Sequence, residues 1–390
     1  MASHYLSLSR INSVRSYILL FMVGLLASTS VSTLTHAALA DRAVRPSVPV
    51  ESKRRFPLLD VTAISDRLLS VGERGRILVS SDQGVSWRQA KVPVSVLLTA
   101  VDAASDDIAW AVGHDGIVLT STNRGDDWSV ALDGSQINQI IVDYYQRLLS
   151  RAEANPESTE DQLDELRFRA EDAQLALDDK LLRTLLDVAF IDAEHGYVLG
   201  AYGLLLQTQD GGQSWQPLIE ELGNLDGFHL NAITFNDTGV LIAGEAGVLF
   251  RRFHGEDAWE ALDSPYEGSF FGAQSLGANR LLVFGLRGHA FISEDQGDSW
   301  EPLQLPLNRT LMGAAQLDNG TLVLVGSFGA VLVRPPGQPF QVQRLAIPAP
   351  SMSVIPLSAE QILVVGLAGA QTLSLSSELR SPSPSTKRGD

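Results

Sequence analysis

Three aspartates, Asp82, Asp210 and Asp295, have surroundings that could support acid–base chemistry. Each follows a hydroxyl residue by two positions and precedes a glycine by two and a Ser-Trp pair by four: Ser80, Asp82, Gly84, Ser86, Trp87; then Thr208, Asp210, Gly212, Ser214, Trp215; then Ser293, Asp295, Gly297, Ser299, Trp300. A carboxylate beside hydroxyl groups can move a proton, but a catalytic group has no reason to recur three times in register. The same spacing suits a turn. Asp accepts hydrogen bonds from backbone N–H groups further along, glycine permits a positive φ, and tryptophan supplies a large ring for packing. A looser copy holds Ser121, Asn123, Gly125 and Trp128, with Asp127 where the hydroxyl should be, and a degenerate copy keeps Gly255 and Trp259. These residues are expected to be structural and none catalytic.

Other chemistries find less support. The seven histidines show no paired spacing of the kind zinc sites use, so neither a metal nor a cofactor is expected. A net charge of −17 argues against nucleic acid, whose binding needs a basic surface. The chain has no cysteine, which excludes disulfides and a lipid-modified cysteine. The expected partner is a protein, with no small-molecule substrate.

The elements that must position these turns follow from a second repeat. An apolar residue, Gly-x-x-Gly and an apolar strand recur with first glycines at 72, 113, 200, 244, 285, 326 and 366, spaced 41, 87, 44, 41, 41 and 40. A period near 40 marks a propeller or solenoid, and the gap of 87 is one period plus an insertion. With turns that resemble the Asp-box (BNR) hairpin, the fold class is all-β: a seven-bladed propeller of Asp-box repeats with an inserted α-helical hairpin. In the second unit, period-two alternation predicts strands at Leu97–Val101, Ile108–Val112, Ile117–Ser121 and Trp128–Leu132, with a two-residue hairpin loop at His114-Asp115. The last unit reaches only three strands, so Val48–Pro57 is expected to donate the fourth and close the ring.

Residues 137–186 carry helical periodicity instead. Ile137, Ile140, Ile141, Tyr144, Leu148 and Ala152 make one stripe, and Leu163, Leu166, Ala170, Ala173, Leu177, Leu181 and Leu185 a second. Asn155-Pro156-Glu157 is a credible turn, and Ser158 or Thr159 with Asp161 or Gln162 offers a capping box. A helix of about 26 residues would project roughly 40 Å. Residues 143–187 hold 12 acidic and 6 basic side chains, an acidic arm suited to a basic protein surface.

Residues 1–40 are expected to be a signal peptide: Arg10 and Arg15, an apolar run from Tyr17 to Ala27 and a small-x-small site at Ala38-Leu39-Ala40. The remaining divisions are 41–136 for blades one and two with the closing strand, 137–186 for the hairpin, 187–375 for blades three to seven and 376–390 for a disordered Ser/Pro tail.

As a fourth-to-first strand connection, the insertion shares a face with the Gly-x-x-Gly turns. That face is where sequence varies, and the candidate partner-binding residues are Arg74, His114, Tyr144, Arg167, Tyr202, Arg287 and Phe328. Asp-box propellers include sialidases, but the arginine triad and the Tyr–Glu pair they need are not visible around Tyr197, Tyr202 or Tyr266. The span Leu58–Leu375 is similar to the photosystem II stability and assembly factor family of exported propellers. The missing lipoprotein cysteine and the long arm depart from that family. The resemblance implies a non-catalytic periplasmic scaffold at the inner membrane. In the non-photosynthetic form of such proteins, its client would be a resistance-nodulation-division-type exporter, with photosystem II assembly as the alternative.

Overall fold

The computed structural model describes residues 42–49, 55–277, 279–327 and 329–375. The expected signal peptide and tail lie outside them. Among the described residues, the chain folds into seven antiparallel sheets, six of four strands and the last of three, each a meander in chain order. Their first strands are Leu58–Ile64, Leu98–Ala103, Leu185–Phe190, Leu230–Phe235, Phe270–Ser275, Leu311–Gln316 and Ser351–Ser358. Each packs against the first strand of the next sheet, and the last packs against the first, giving a β-propeller whose innermost strands surround an axis. The second strands, such as Ala109–Gly113 and Leu322–Gly326, are buried on both faces and accordingly apolar throughout.

Both glycines of the Gly-x-x-Gly turn are required for physical reasons. At the first, an added Cβ would meet a carbonyl oxygen of the incoming chain: Pro57 O at 2.2 Å for Gly72, Leu97 O at 2.2 Å for Gly113, Thr310 O at 2.1 Å for Gly326. The last glycine is left-handed, with φ of 65° at Gly75, 68° at Gly116 and 82° at Gly247. The turn is longer than the two-residue loop expected. Val112 pairs with Val118, and between them His114–Gly116 forms one 3-10 turn in which Asp115 is also left-handed.

The Asp-box turns stitch sheet to sheet. A Cβ on Gly84 would strike Leu363 of the last sheet, one on Gly125 Leu69 of the first, and one on Gly212 Trp110 of the second. Trp110 stacks on Phe190 at 4.7 Å and meets Trp215 edge-on at 5.9 Å. The last sheet joins the first through Leu363 and Val365 packed with Leu58, Val61 and Leu68. The expected closing strand, 48–57, lies partly outside the described residues. Of its neighbours, Ser47 donates its N–H to Val92 O at 3.0 Å and Arg55 lies beside Ala368.

Two helices follow the second sheet: α1, Gly134–Ala154, and α2, Glu160–Asp178. Both start on capping boxes, Asp133 with Gln136 and Thr159 with Gln162. Neither attains 26 residues; 21 and 19 give lengths near 30 Å. The second stops where Lys180 turns left-handed, so Leu181 falls beyond it, and Leu185 opens a strand, fully buried. A one-turn helix, α3, spans Ile219–Leu222.

Candidate functional site

The Asp-box side chains are committed to their own hairpins. Asp82 accepts from Ser86 N at 2.8 Å, Ser86 Oγ at 2.6 Å and Ser80 Oγ at 2.8 Å, while Ser80 Oγ accepts from Gly84 N at 2.8 Å. Asp210 and Asp295 repeat the pattern with Ser214 and Ser299. The serine donors hold Asp82 and Asp295 down at about 2 and lower Asp210 as well. The looser copy builds the same turn with roles exchanged: Asn123 Oδ1 accepts from Asp127 N at 3.0 Å, and its amide donates to the Asp127 carboxylate at 2.9 Å. Trp87 and Trp128 donate their ring N–H groups to Gly84 O and Gly125 O. These carboxylates are anions saturated with donors.

A second carboxylate set was missed in the sequence because it sits in apolar strands. Asp60, Asp102 and Asp187 lie on the innermost strands of sheets one to three. Each caps a backbone N–H of the next sheet: Asp60 from Val101 at 3.0 Å, Asp102 from Phe190 at 2.8 Å, Asp187 from Ile233 at 2.9 Å. Burial pushes Asp60 up to about 6, against the Val101, Ser353 and Val61 donors, and raises Asp102 and Asp187. Their alternation with buried apolar neighbours is a signal that could have exposed them.

The Gly-x-x-Gly turns put five non-glycine residues, Arg74, Asp115, Tyr202, Ala246 and Arg287, at φ of 53–60° on one face. Asp115 is raised by burial, opposed by Arg42 and His114. Arg74, His114 and Arg287 are exposed. Tyr202 is 68% exposed, edge-on to His229 at 5.1 Å. Arg287 lines an open cleft of about 720 Å³ together with Pro265, Tyr266, His289, Phe291 and Pro302. Tyr266 stacks on His289 at 4.1 Å, and His289 lies parallel to Phe291 at 6.3 Å. Among the described residues, Arg287 has no acidic partner. Aromatic rings in one cleft with such a guanidinium can take an extended peptide bearing a carboxylate.

Two expected partner residues are otherwise employed. Tyr144 is 5% exposed and donates its hydroxyl to Glu221 at 2.8 Å, while Tyr145 donates to Glu220 at 3.0 Å, so both bolt α1 to α3. The sequence stripe that holds Tyr144 could not distinguish a partner-facing side from one facing the propeller. Arg167 is held within the arm by Glu160 and Asp164, both at 2.9 Å. Phe328 lies outside the described residues.

The family model for the photosynthesis system II assembly factor Ycf48 matches residues 169–343. A photosystem II assembly lipoprotein Ycf48 of Synechococcus sp. is 34% identical over 77 residues, 20% of this chain and 23% of its own length. Photosystem II stability/assembly factor HCF136 of Oryza sativa is 30% identical over 82 residues, 20% of each. The chain thus matches less than a quarter of the length of these relatives. A solved structure titled "YCF48 bound to D1 peptide" superposes with a TM-score of 0.58 at 16% identity, covering 84% of this chain and 96% of that one. The WD40 propeller domain of Doa1 gives 0.56 at 13% identity, over 86% and 97%, and at these identities both show fold alone. The relatives correct the expected exporter-associated scaffold: the family model and the matched relatives named here are photosystem II assembly factors, and none is an exporter subunit. These relatives are named as assembly factors, and this chain is similar to them over part of its length and shares the β-propeller fold, built here on Asp-box repeats.

Proposed function

We propose that this chain is an assembly factor of the photosystem II type, which holds a peptide segment of a membrane-protein client across its Gly-x-x-Gly turn face. In this reading the seven sheets are seven blades, and the two helices form a hairpin fixed to the ring. The protein is exported and works outside the cytoplasm, peripheral to the membrane. The observation that carries the reading is the cleft lined by Arg287, within the span that matches the Ycf48 model, where a guanidinium with no acidic partner among the described residues shares the lining with a stack of aromatic rings. Arg74 and Tyr202 extend the same face.

A labelled D1 peptide, the ligand named for the Ycf48 structure, is the direct probe. Fluorescence anisotropy should show saturable binding to the purified chain, weakened tenfold or more by Arg287→Glu, equivalent to about 1.4 kcal/mol or more. No saturable binding, or equal binding by the variant, would overturn the reading.

A further inference from the structure

The arm offers a second surface, independent of the turn face. The inner side of α2 is spent on α1, with Ala173 and Ala176 buried and Leu166, Ala170 and Leu177 packed behind them. Its outer side carries two large apolar residues, Phe168 at 67% and Leu175 at 58% exposure. Seven residues is close to two helical turns, so the two side chains stand on one line. On the same 100° wheel, Asp161, Asp164, Glu171 and Asp172 flank them.

The charge of this face is only partly compensated. Residues Glu160–Asp178 include seven acids and two arginines, and both arginines are engaged. Arg167 pairs with Glu160 and Asp164, and Arg169 pairs with Glu165 at 2.7 Å and Glu220 at 3.3 Å. Among the described residues, Asp161 and Glu171 have no cation partner. The face is also rigidly presented, because Tyr144, Tyr145 and Arg169 tie the helix pair to α3 and Asn138 donates to the carbonyls of Ala176 and Leu181 at 3.1 Å.

We propose that the outer face of α2 docks a basic amphipathic helix of a partner protein, its apolar residues on the Phe168–Leu175 line and its Lys or Arg residues against the acidic flanks. Apolar contact supplies the anchor and the acidic flanks favour a cationic partner and its encounter rate. An anionic lipid surface would be repelled by the same carboxylates.

The test places the photocrosslinker p-benzoylphenylalanine at position 168 of the full chain, in the cells that make it, and sequences the adduct by mass spectrometry. The expected adduct is a protein segment with net positive charge and apolar residues at three- and four-residue spacing. Glu171→Lys with Asp172→Lys should cut its yield at least tenfold, while Asp143→Lys on α1 leaves it unchanged. Melting curves confirm that both variants fold. An adduct with lipid, with a second copy of this chain or with an uncharged or acidic segment would overturn the proposal, as would no adduct or a yield insensitive to charge reversal. Because the turn face is untouched, D1-peptide binding should be the same in every variant, which separates failure here from failure of the proposed function.

Discussion

At the level of single residues, the Asp-box motif shows how a hydrogen-bond set can be legible in sequence while its function is not. Asp82, Ser86 and Gly84 are spaced so that only a tight hairpin can satisfy them, and the structure places every donor accordingly. Asn123 with Asp127 shows the tolerance of the arrangement: amide and carboxylate exchange roles and the turn survives. Ser293 is buried and its Oγ accepts the Gly297 N–H at 2.7 Å, so Ser293→Ala leaves a buried donor unmatched. Thermal or urea unfolding should show a loss of about 1–3 kcal/mol. Gly212→Ala should be worse, since φ is 78° and the new Cβ falls 2.3 Å from the Trp110 ring. For Asp82 and Asp295, lowered to about 2, stability is present above the ordinary value of 3.8 and drains as pH falls toward 2. Acid titration of Asp82→Asn should show a shallower loss below pH 4 than the parent chain.

At the scale of elements, the helices were visible as periodicity, but their contacts were not. A stripe such as Ile137, Ile141, Tyr144 is the same whether it faces a partner or the ring, and only the fold shows that it joins the core of sheets two and three with Trp110, Phe190 and Trp215. Excising 137–186 therefore strips a core wall, and a deletion bridged by a short Gly/Ser linker should lower the melting temperature. The Tyr144 hydroxyl gives a finer test. Burial and Glu221 push it above its ordinary range, so it stays a neutral donor to a carboxylate. Tyr144→Phe should cost about 1.5–3 kcal/mol, the range for hydrogen bonds to charged groups, and speed hydrogen exchange in α1 beyond its effect on the sheets. The strands, set by alternation and glycine spacing, were legible to within two or three residues.

For the molecule as a whole, the ring is joined by carboxyl groups that sequence inspection passed over. Asp60 reaches both ways, to Val101 of the second sheet and Ser353 of the last. A carboxyl whose folded value is raised favours the protonated form, so stability from this source is full below 3.8 and is lost as pH rises through about 6. A rise of about two units corresponds to about 3 kcal/mol for Asp60 as an upper bound, because the residue keeps an edge open to solvent. The melting temperature should therefore fall between about pH 4 and pH 6 and level off above that. Asp60→Asn, which keeps one acceptor and no charge, should flatten that fall; an equally steep slope in the variant would place its origin elsewhere.

The central claim, a client peptide on the Gly-x-x-Gly face, is tested most directly by hydrogen exchange of the full chain with and without saturating D1 peptide. Slowed exchange is expected at the turns around Arg74, Tyr202 and Arg287 and along Pro265–Gly268, with the Asp-box turns at Asp82, Asp210 and Asp295 unchanged. Protection confined to the Asp-box turns on the opposite face, or no protection at saturation, would contradict it.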